Sequence, residues 1–351
     1  MSAVRTTEKV LNHSVDGTSS TMRAVGIKDV AEAAGVSPAT VSRVLAGGKV
    51  SAALKAQVED AIARSGYRPN LSARRLRSRN TQTIGLIVAD IRNPFFTAVS
   101  RSVEQIAFAS GMRVILCNTD EDPEREAMYL QLMEEERATG LILAPTLPAI
   151  SRLAIHRPSL PVVLIDREGP AGCLDSVVLD NREASRTLTR HLLQNGYRRI
   201  GGLFGMASTT AVERREGYEQ AMREAGLAFE SRQSPATIPD SEQTAHAWLS
   251  SPHPPEALLV SNSLTLMGVT RAARSLGLSI PQQLGLAGFD NDHWTELVGP
   301  GMTVMAQPVE EIGRMAMDML FSRLRDPDQP VRKIVLSGRQ ITRGSSVRTA
   351  A

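Results

Sequence analysis

The chain of 351 residues is 42% hydrophobic and 22% charged, enough for two or three domains that each bury a core. No apolar run approaches the ~18 residues that cross a bilayer, and the N-terminal "MSAVRTTEKVLNHSVDGTSSTMRAVG" has no apolar centre of the kind a signal peptide carries, so a helical membrane protein is excluded and a cytoplasmic one expected. The net charge of +3 hides an asymmetry: residues 1–80 hold 13 Lys or Arg against 6 Asp or Glu, the rest 27 against 31, so only the basic head suits a polyanion such as nucleic acid.

Residues 1–25 are polar and aperiodic and read as a disordered tail. In "IKDVAEAAG", Ile27, Val30, Ala31 and Ala34 fall on one helical face, and Gly35 is placed for the left-handed turn that ends a helix. Ser37 suits the N-cap of a second helix with Pro38 at its first position, where a missing N–H costs nothing. Val41, Val44 and Leu45 face inward on that helix, leaving Pro38, Ala39, Ser42 and Arg43 outward. "GGKVS" breaks it, and "SAALKAQVEDAIARSGY" gives a third helix with Leu54, Val58, Ala61 and Ile62 on one face.

A helix, a glycine turn and a second helix make a helix-turn-helix layout, whose second helix enters the DNA major groove. Arg43 is its one outward side chain able to grip a guanine with two hydrogen bonds. The N–H groups and hydroxyls at the helix start, that of Ser37 included, suit phosphates. Beyond "RPN", the segment "LSARRLRSRNTQ" has helix formers but little apolar surface, and reads from its residues alone as a solvated linker.

From Thr83 strand-like runs alternate with helical ones: "TIGLIVAD", "RVILCNT", "GLILAPT" and "PVVLID" in a first series, then "SVVLDN", "RRIGGLFG", "PEALLVSNS" and "LGLAGFDN" in a second. This is the pattern of βαβ units around parallel sheets. Two successive units imply two lobes with a cleft between them, and such sheets bind ligands beyond the carboxyl ends of their strands. Cys117 and Cys173 lie in or near apolar segments without paired spacing, as buried reduced thiols do.

"IKDVAEAAGVSPATVSRVLAGGKVS" and "RSGYRPNLSARRLRS" closely resemble the lactose and galactose repressor family, and the resemblance continues to about residue 345 through "NPFF", "VLIDRE", "SVVLDN", "RREGYEQAM", "LLVSNS", "GLAGFDND" and "TVMAQPVEEIG". It implies that Pro38, Ala39 and Arg43 occupy base-reading positions, with Thr40 and Ser42 on the DNA backbone. It also implies that residues 70–80 form a hinge helix on operator DNA. There Leu76 would wedge into the minor groove, Ala73 would allow close approach, and arginines 74, 75 and 77 would add phosphate contacts. Positions matching Phe95, Phe96, Asp166, Arg214, Asn262, Asp290 and Gln307 line the family's cleft and hold a small ligand, and Thr210, after "RRIGGLFG", adds a hydroxyl suited to a hydroxylated one. Taken singly, Asp290 suits a helix cap equally well, Arg214 a helix-surface charge, and the two phenylalanines the core. Trp294, in "NDHWTELVGPG", suits packing better than ligand stacking.

The expected architecture is therefore an all-α helix-turn-helix head (26–69) plus hinge helix (70–80), then a two-lobed periplasmic-binding-protein-like α/β core (81–345) and a short tail (346–351). The N-lobe is assigned about 81–179 and 307–325, the C-lobe about 180–306 and 326–345. No hydrolase, zinc-protease, nucleotide-binding or dinucleotide-binding motif is present and the six histidines are scattered, so no enzyme, cofactor or metal is implied. The expected function is a transcriptional regulator, a repressor acting as a homodimer with a tetramer left open. It would bind pseudo-palindromic operator DNA under control of a small effector such as a sugar. A solute-binding or sensory protein is the alternative from another class.

Overall fold

A computed structural model describes residues 25–45, 47–67, 81–155, 158–170, 172–206 and 208–348. The expected hinge helix, with Ala73 and Leu76, and the expected tail before Val25 lie outside the described residues. The chain divides into two compact units, 1–78 and 79–351.

The first unit holds α1 (Ile27–Ala33), α2 (Pro38–Leu45) and α3 (Ala52–Ser65). Gly35 has φ +60°, which turns the chain sharply between α1 and α2 at no Cβ cost. Val30, Ala31, Ala34, Val41, Val58 and Ala61 form its small core, with Val44, Leu45 and Ile62 half-buried around it. Gln57 of α3 donates through Nε2 to the carbonyl of Ala34 at 2.9 Å, pinning the turn from a side that apolar periodicity does not reveal.

Among the described residues the second unit carries two six-stranded sheets. In chain order its elements are β1 (Thr83–Val88), α4 (Pro94–Ala109), β2 (Arg113–Asn118), α5 (Pro123–Glu135), β3 (Gly140–Leu143), α6 (Leu147–Ile155), β4 (Val162–Ile165), β5 (Asp175–Leu179), α7 (Asn181–Gln194), β6 (Ile200–Gly205), α8 (Thr209–Glu224), β7 (Glu230–Ser234), α9 (Ile238–Leu249), β8 (Ala257–Val260), α10 (Ser263–Ser275), β9 (Gly285–Phe289), α11 (Trp294–Leu297), β10 (Thr303–Ala306), α12 (Val309–Arg325), β11 (Lys333–Leu336) and β12 (Arg339–Ile341). The sheet orders are β11-β5-β4-β3-β1-β2 and β12-β10-β9-β8-β6-β7. All pairings are parallel except β12 on β10. The inner strands are buried on both faces, so they read as unbroken apolar runs rather than as alternation.

Most of the strand-to-helix turns beyond the carboxyl ends carry a capping side chain. Asn93, Asp122, Asp180, Ser208, Thr237 and Asn262 each accept a backbone N–H of the helix they open. The chain crosses between lobes at 179–181, 306–309 and 336–339. The third crossing corrects the expected boundary: residues 333–336 belong to the N-lobe as β11, paired parallel with β5. Ile334 and Leu336 face the N-lobe core while Lys333 and Val335 are exposed, the alternation of an edge strand too short to announce its lobe. Ser346, expected to begin a tail, is fully buried, with Oγ 2.7 Å from His191 Nε2 and 2.6 Å from Thr303 Oγ1.

Helices α4 and α12, whose apolar faces are equally suited to a core or an interface by spacing, pack on each other. Val99, Val103, Ala107, Ile312, Ala316, Met317 and Leu320 are buried in one N-lobe cluster. In the C-lobe α8 lies so close to the start of α7 that a Cβ at Gly217 would sit 2.2 Å from the Arg182 carbonyl oxygen. Gly217→Ala is therefore expected to destabilise the core by about 3 kcal/mol through overpacking against backbone, read as a lowered denaturation midpoint.

Candidate functional site

In the first unit Ser37 caps α2: its Oγ accepts the Thr40 N–H at 3.1 Å and lies 2.9 Å from Thr40 Oγ1. Both hydroxyls are thus tied to the helix start. Pro38, Ala39 and Arg43 are exposed, and Thr40 and Ser42 are half-buried beside the fully buried Val41. Arg43 has no hydrogen-bonded or ion-paired side-chain partner among the described residues. Its stem runs past Gly48, where a Cβ would come 2.7 Å from Arg43 Cγ, so the glycine keeps the path of the guanidinium open. An exposed guanidinium on a capped two-turn helix can offer two donors to the edge of a base.

In the second unit a cleft of about 350 Å³ opens between the lobes, and Phe95, Phe96, Asp166, Thr210, Arg214, Asn262, Asp290 and Gln307 all line it. Asp166, Asn262, Asp290 and Gln307 stand just beyond the carboxyl ends of β4, β8, β9 and β10, whereas Phe95, Phe96, Thr210 and Arg214 stand in the first two turns of the helices that follow β1 and β6. Phe95 and Phe96 meet edge-to-face at 5.0 Å and also belong to the N-lobe core, so core and cleft readings hold together. Asp290 accepts Gln307 Nε2 at 2.7 Å and the Ser263 N–H at 3.0 Å. It therefore helps cap α10, the helix before it, rather than the one after.

Arg214 is no surface charge. It is 4% exposed, donates from Nε to Asn181 Oδ1 at 2.8 Å and from Nη1 to the Ser261 carbonyl, and lies 3.9 Å over the Phe289 ring. It makes no ion pair among the described residues, and Nη2 has no protein partner there. Burial pulls its basicity below the ordinary arginine value, an effect only partly opposed by Asp290 and Asp166. The converse holds for the acids. Burial pushes Asp166 above the usual carboxylate range against the pull of Arg167 and Arg214, and burial does the same to Asp290 against Arg214, Gln307 and the Ser263 N–H. Asn262 spends Oδ1 on the Thr265 N–H at 2.8 Å, leaving its amide donor toward the cleft. Among the described residues, the groups without a hydrogen-bond partner are thus donors on Arg214 and Asn262 and acceptors on Gln307 and on Asp166, which Arg167 meets as an ion pair at 3.2 Å, a set matched to a molecule bearing several hydroxyls.

Four of the six described non-glycine residues with positive φ line this cleft: Asp120 (52°), Glu121 (61°), Asp166 (65°) and Asp290 (75°). Each such conformation costs on the order of 1 kcal/mol and persists where surrounding contacts enforce it, as at binding sites.

The model of bacterial regulatory proteins of the lacI family matches residues 26–70, and that of a periplasmic binding protein-like domain matches residues 189–346. The HTH-type transcriptional regulator KdgR of Bacillus subtilis (strain 168) is 35% identical over 329 residues, covering 91% of this chain and 97% of the relative. The ribose operon repressor of Escherichia coli (strain K12) is 32% identical, with 91% and 99% covered. The crystal structure of a LacI-family transcriptional regulator from Silicibacter pomeroyi aligns with a TM-score of 0.79 at 28% identity over 92% of this chain and all of that one. The chain belongs to the lacI family of bacterial regulatory proteins. It is accordingly a DNA-binding transcriptional regulator and not an enzyme.

The remaining cleft wall of this LacI-family regulator is ionic. Arg92 pairs with Asp90 at 2.8 Å and reaches Asp120, which Arg125 also grips at 2.6 Å. Arg167, 3% exposed, takes both carboxylate oxygens of Glu121 and donates to the Pro145 carbonyl at 2.9 Å. Burial opposes its charge, but Glu121 and Asp166 outweigh it and hold the guanidinium above its usual basicity. None of these residues stands among the expected ones. Arg167 directly follows Asp166 in "VLIDRE", but its partner lies 46 residues away, beyond any local pattern. Trp294 packs toward the C-lobe core, donating to Ser263 Oγ at 3.2 Å, and does not line the cleft. No described helix is long and apolar enough to cross a membrane.

Proposed function

We propose that the protein is a cytoplasmic repressor that binds a pseudo-palindromic operator as a homodimer, each α2 reading one half-site through Pro38, Ala39 and Arg43, with Ser37, Thr40 and Ser42 serving the phosphates. A small hydroxylated effector, a sugar or sugar derivative, occupies the cleft lined by Phe95, Phe96, Asp166, Thr210, Arg214, Asn262, Asp290 and Gln307. Effector and operator then alter each other's affinity by one and the same factor. The observation that carries the effector half is Arg214: a buried guanidinium with an unspent edge in a cleft is costly unless a ligand oxygen completes it. For the DNA half, the support is the family itself together with Arg43, exposed and without a hydrogen-bonded or ion-paired side-chain partner among the described residues.

The test is fluorescence anisotropy of palindromic sites upstream of neighbouring genes, repeated with a panel of sugars and sugar acids. The reading expects nanomolar binding to at least one site and a shift in affinity with at least one compound. Equal affinity for a scrambled site of the same length would overturn the DNA half. Indifference to every compound would overturn the effector half.

A further inference from the structure

We infer that Glu121 is a positioning residue for the effector site: by gripping Arg167 at two points it limits that guanidinium to one oxygen of the Asp166 carboxylate and leaves the other to the ligand. The inference rests on the effector reading above. Arg167 ties three strand ends of the N-lobe together. Its Nη groups take Glu121 beyond β2 and the Pro145 carbonyl beyond β3, and its Nε sits 3.2 Å from Asp166 Oδ2 beyond β4. The backbone at Asp120, Glu121 and Asp166 is left-handed without glycine, so all three depend on enforced contacts, and the Glu121–Arg167 fork is one shared by the 121 and 166 turns. A carboxylate partner for a fork of five donors fixes its plane as a point charge would not.

Without Glu121 the fork loses its main acceptor inside a buried site. Among the charges around it, Asp166 is already in contact and lies in the cleft. Glu126 is buried with Oε2 on the Thr146 N–H at 2.6 Å and Oε1 without a hydrogen-bond partner among the described residues; its charge favours the Arg167 cation, but it makes no ion pair with it there, whereas Asp166 Oδ2 already lies 3.2 Å from Arg167 Nε. The freed guanidinium then turns onto Asp166 and competes with the effector for it. The groups facing Asp166 are Arg167 and Arg214, which favour its ionised form, and Glu121 and Asp290, which oppose it. Removing Glu121 takes away one opposing charge and strengthens one favouring contact, so the pH below which effector binding fades moves downward.

The experiment compares wild type, Glu121→Gln and Glu121→Asp as full-length protein. D-ribose and D-gluconate, one neutral and one acidic, are titrated calorimetrically from about pH 5 to 8, alongside thermal denaturation and hydrogen exchange of the 119–122 and 165–167 amides. Glu121→Gln is expected to weaken binding of whichever compound binds wild type about tenfold, with a downward-shifted pH profile and a small change in Tm. Glu121→Asp is expected to restore part of the affinity. Unchanged affinity overturns the inference, as does a loss that merely tracks Tm with an unmoved pH profile. If neither compound binds wild type, the choice of sugar fails rather than the positioning role. The exchange data then decide: faster exchange at 165–167 in Glu121→Gln supports the role, and unaltered exchange there ends it.

Discussion

Replacing Arg43 by alanine is expected to cost about 1 to 3 kcal/mol of operator affinity per half-site, roughly 5- to 150-fold, and to flatten base preference at one position of each half-site. The reasoning starts from chemistry that the neighbouring residues lack. Pro38 and Ala39 have no hydrogen-bonding side chain, so they read DNA by shape and apolar contact, and Arg43 alone on the exposed side of α2 presents a planar fork. Arg43→Lys should retain the charge and lose the two-point grip, so it should fall between wild type and alanine in affinity yet lose base preference nearly as fully. Anisotropy at several salt concentrations separates this role from a phosphate contact. A base contact leaves the slope of log affinity on log salt almost unchanged, whereas each lost phosphate contact lowers it by about one. Since Arg43 is exposed and outside the Val30–Val58 core, the denaturation midpoint should not move. A uniform loss of affinity across sequences with a shallower salt slope would put Arg43 on the backbone instead.

The head was legible because short helices advertise themselves. Gly35, Ser37 and Pro38 punctuate the chain, and the Val41/Val44/Leu45 face leaves few residues for DNA. The strands of the core were legible for the opposite reason: both faces are buried, and the apolar runs are continuous. What escaped were long-range polar contacts. The Gln57 grip on the Ala34 carbonyl, the Arg167–Glu121 fork, the His191–Ser346–Thr303 cluster and the assignment of residues 333–336 to the N-lobe each join residues far apart in sequence. Such pairings leave no periodic trace, because one polar residue at each end suffices. The left-handed backbone at Asp166 and Asp290 was equally hidden, since aspartate tolerates that conformation without requiring it.

Arg214→Ala is expected to abolish the effector response, weakening effector binding at least 100-fold, and to destabilise the core by about 3 kcal/mol. The second figure follows from removing the cation from a buried charged cluster, which strands its partners: Asn181 Oδ1 and the Ser261 carbonyl lose their donors, and Asp166 and Asp290 lose a favourable charge. The pH dependence identifies the cause. Asp166 and Asp290 already have folded pKa values raised by burial, so between the unfolded and folded values the folded state holds protons that the unfolded state releases, and stability declines as pH rises through that window. Taking away Arg214 raises both folded values further and widens the window upward. The stability deficit of Arg214→Ala relative to wild type should therefore be smaller at pH 5 than at pH 8, as followed by urea denaturation at both. A deficit independent of pH would mean that lost packing on Phe289, not stranded carboxylates, dominates. Arg214→Lys distinguishes charge from shape: a point charge can restore the pH behaviour, but only the guanidinium fork can span Asn181, Ser261 and a ligand oxygen together, so the effector response should stay lost.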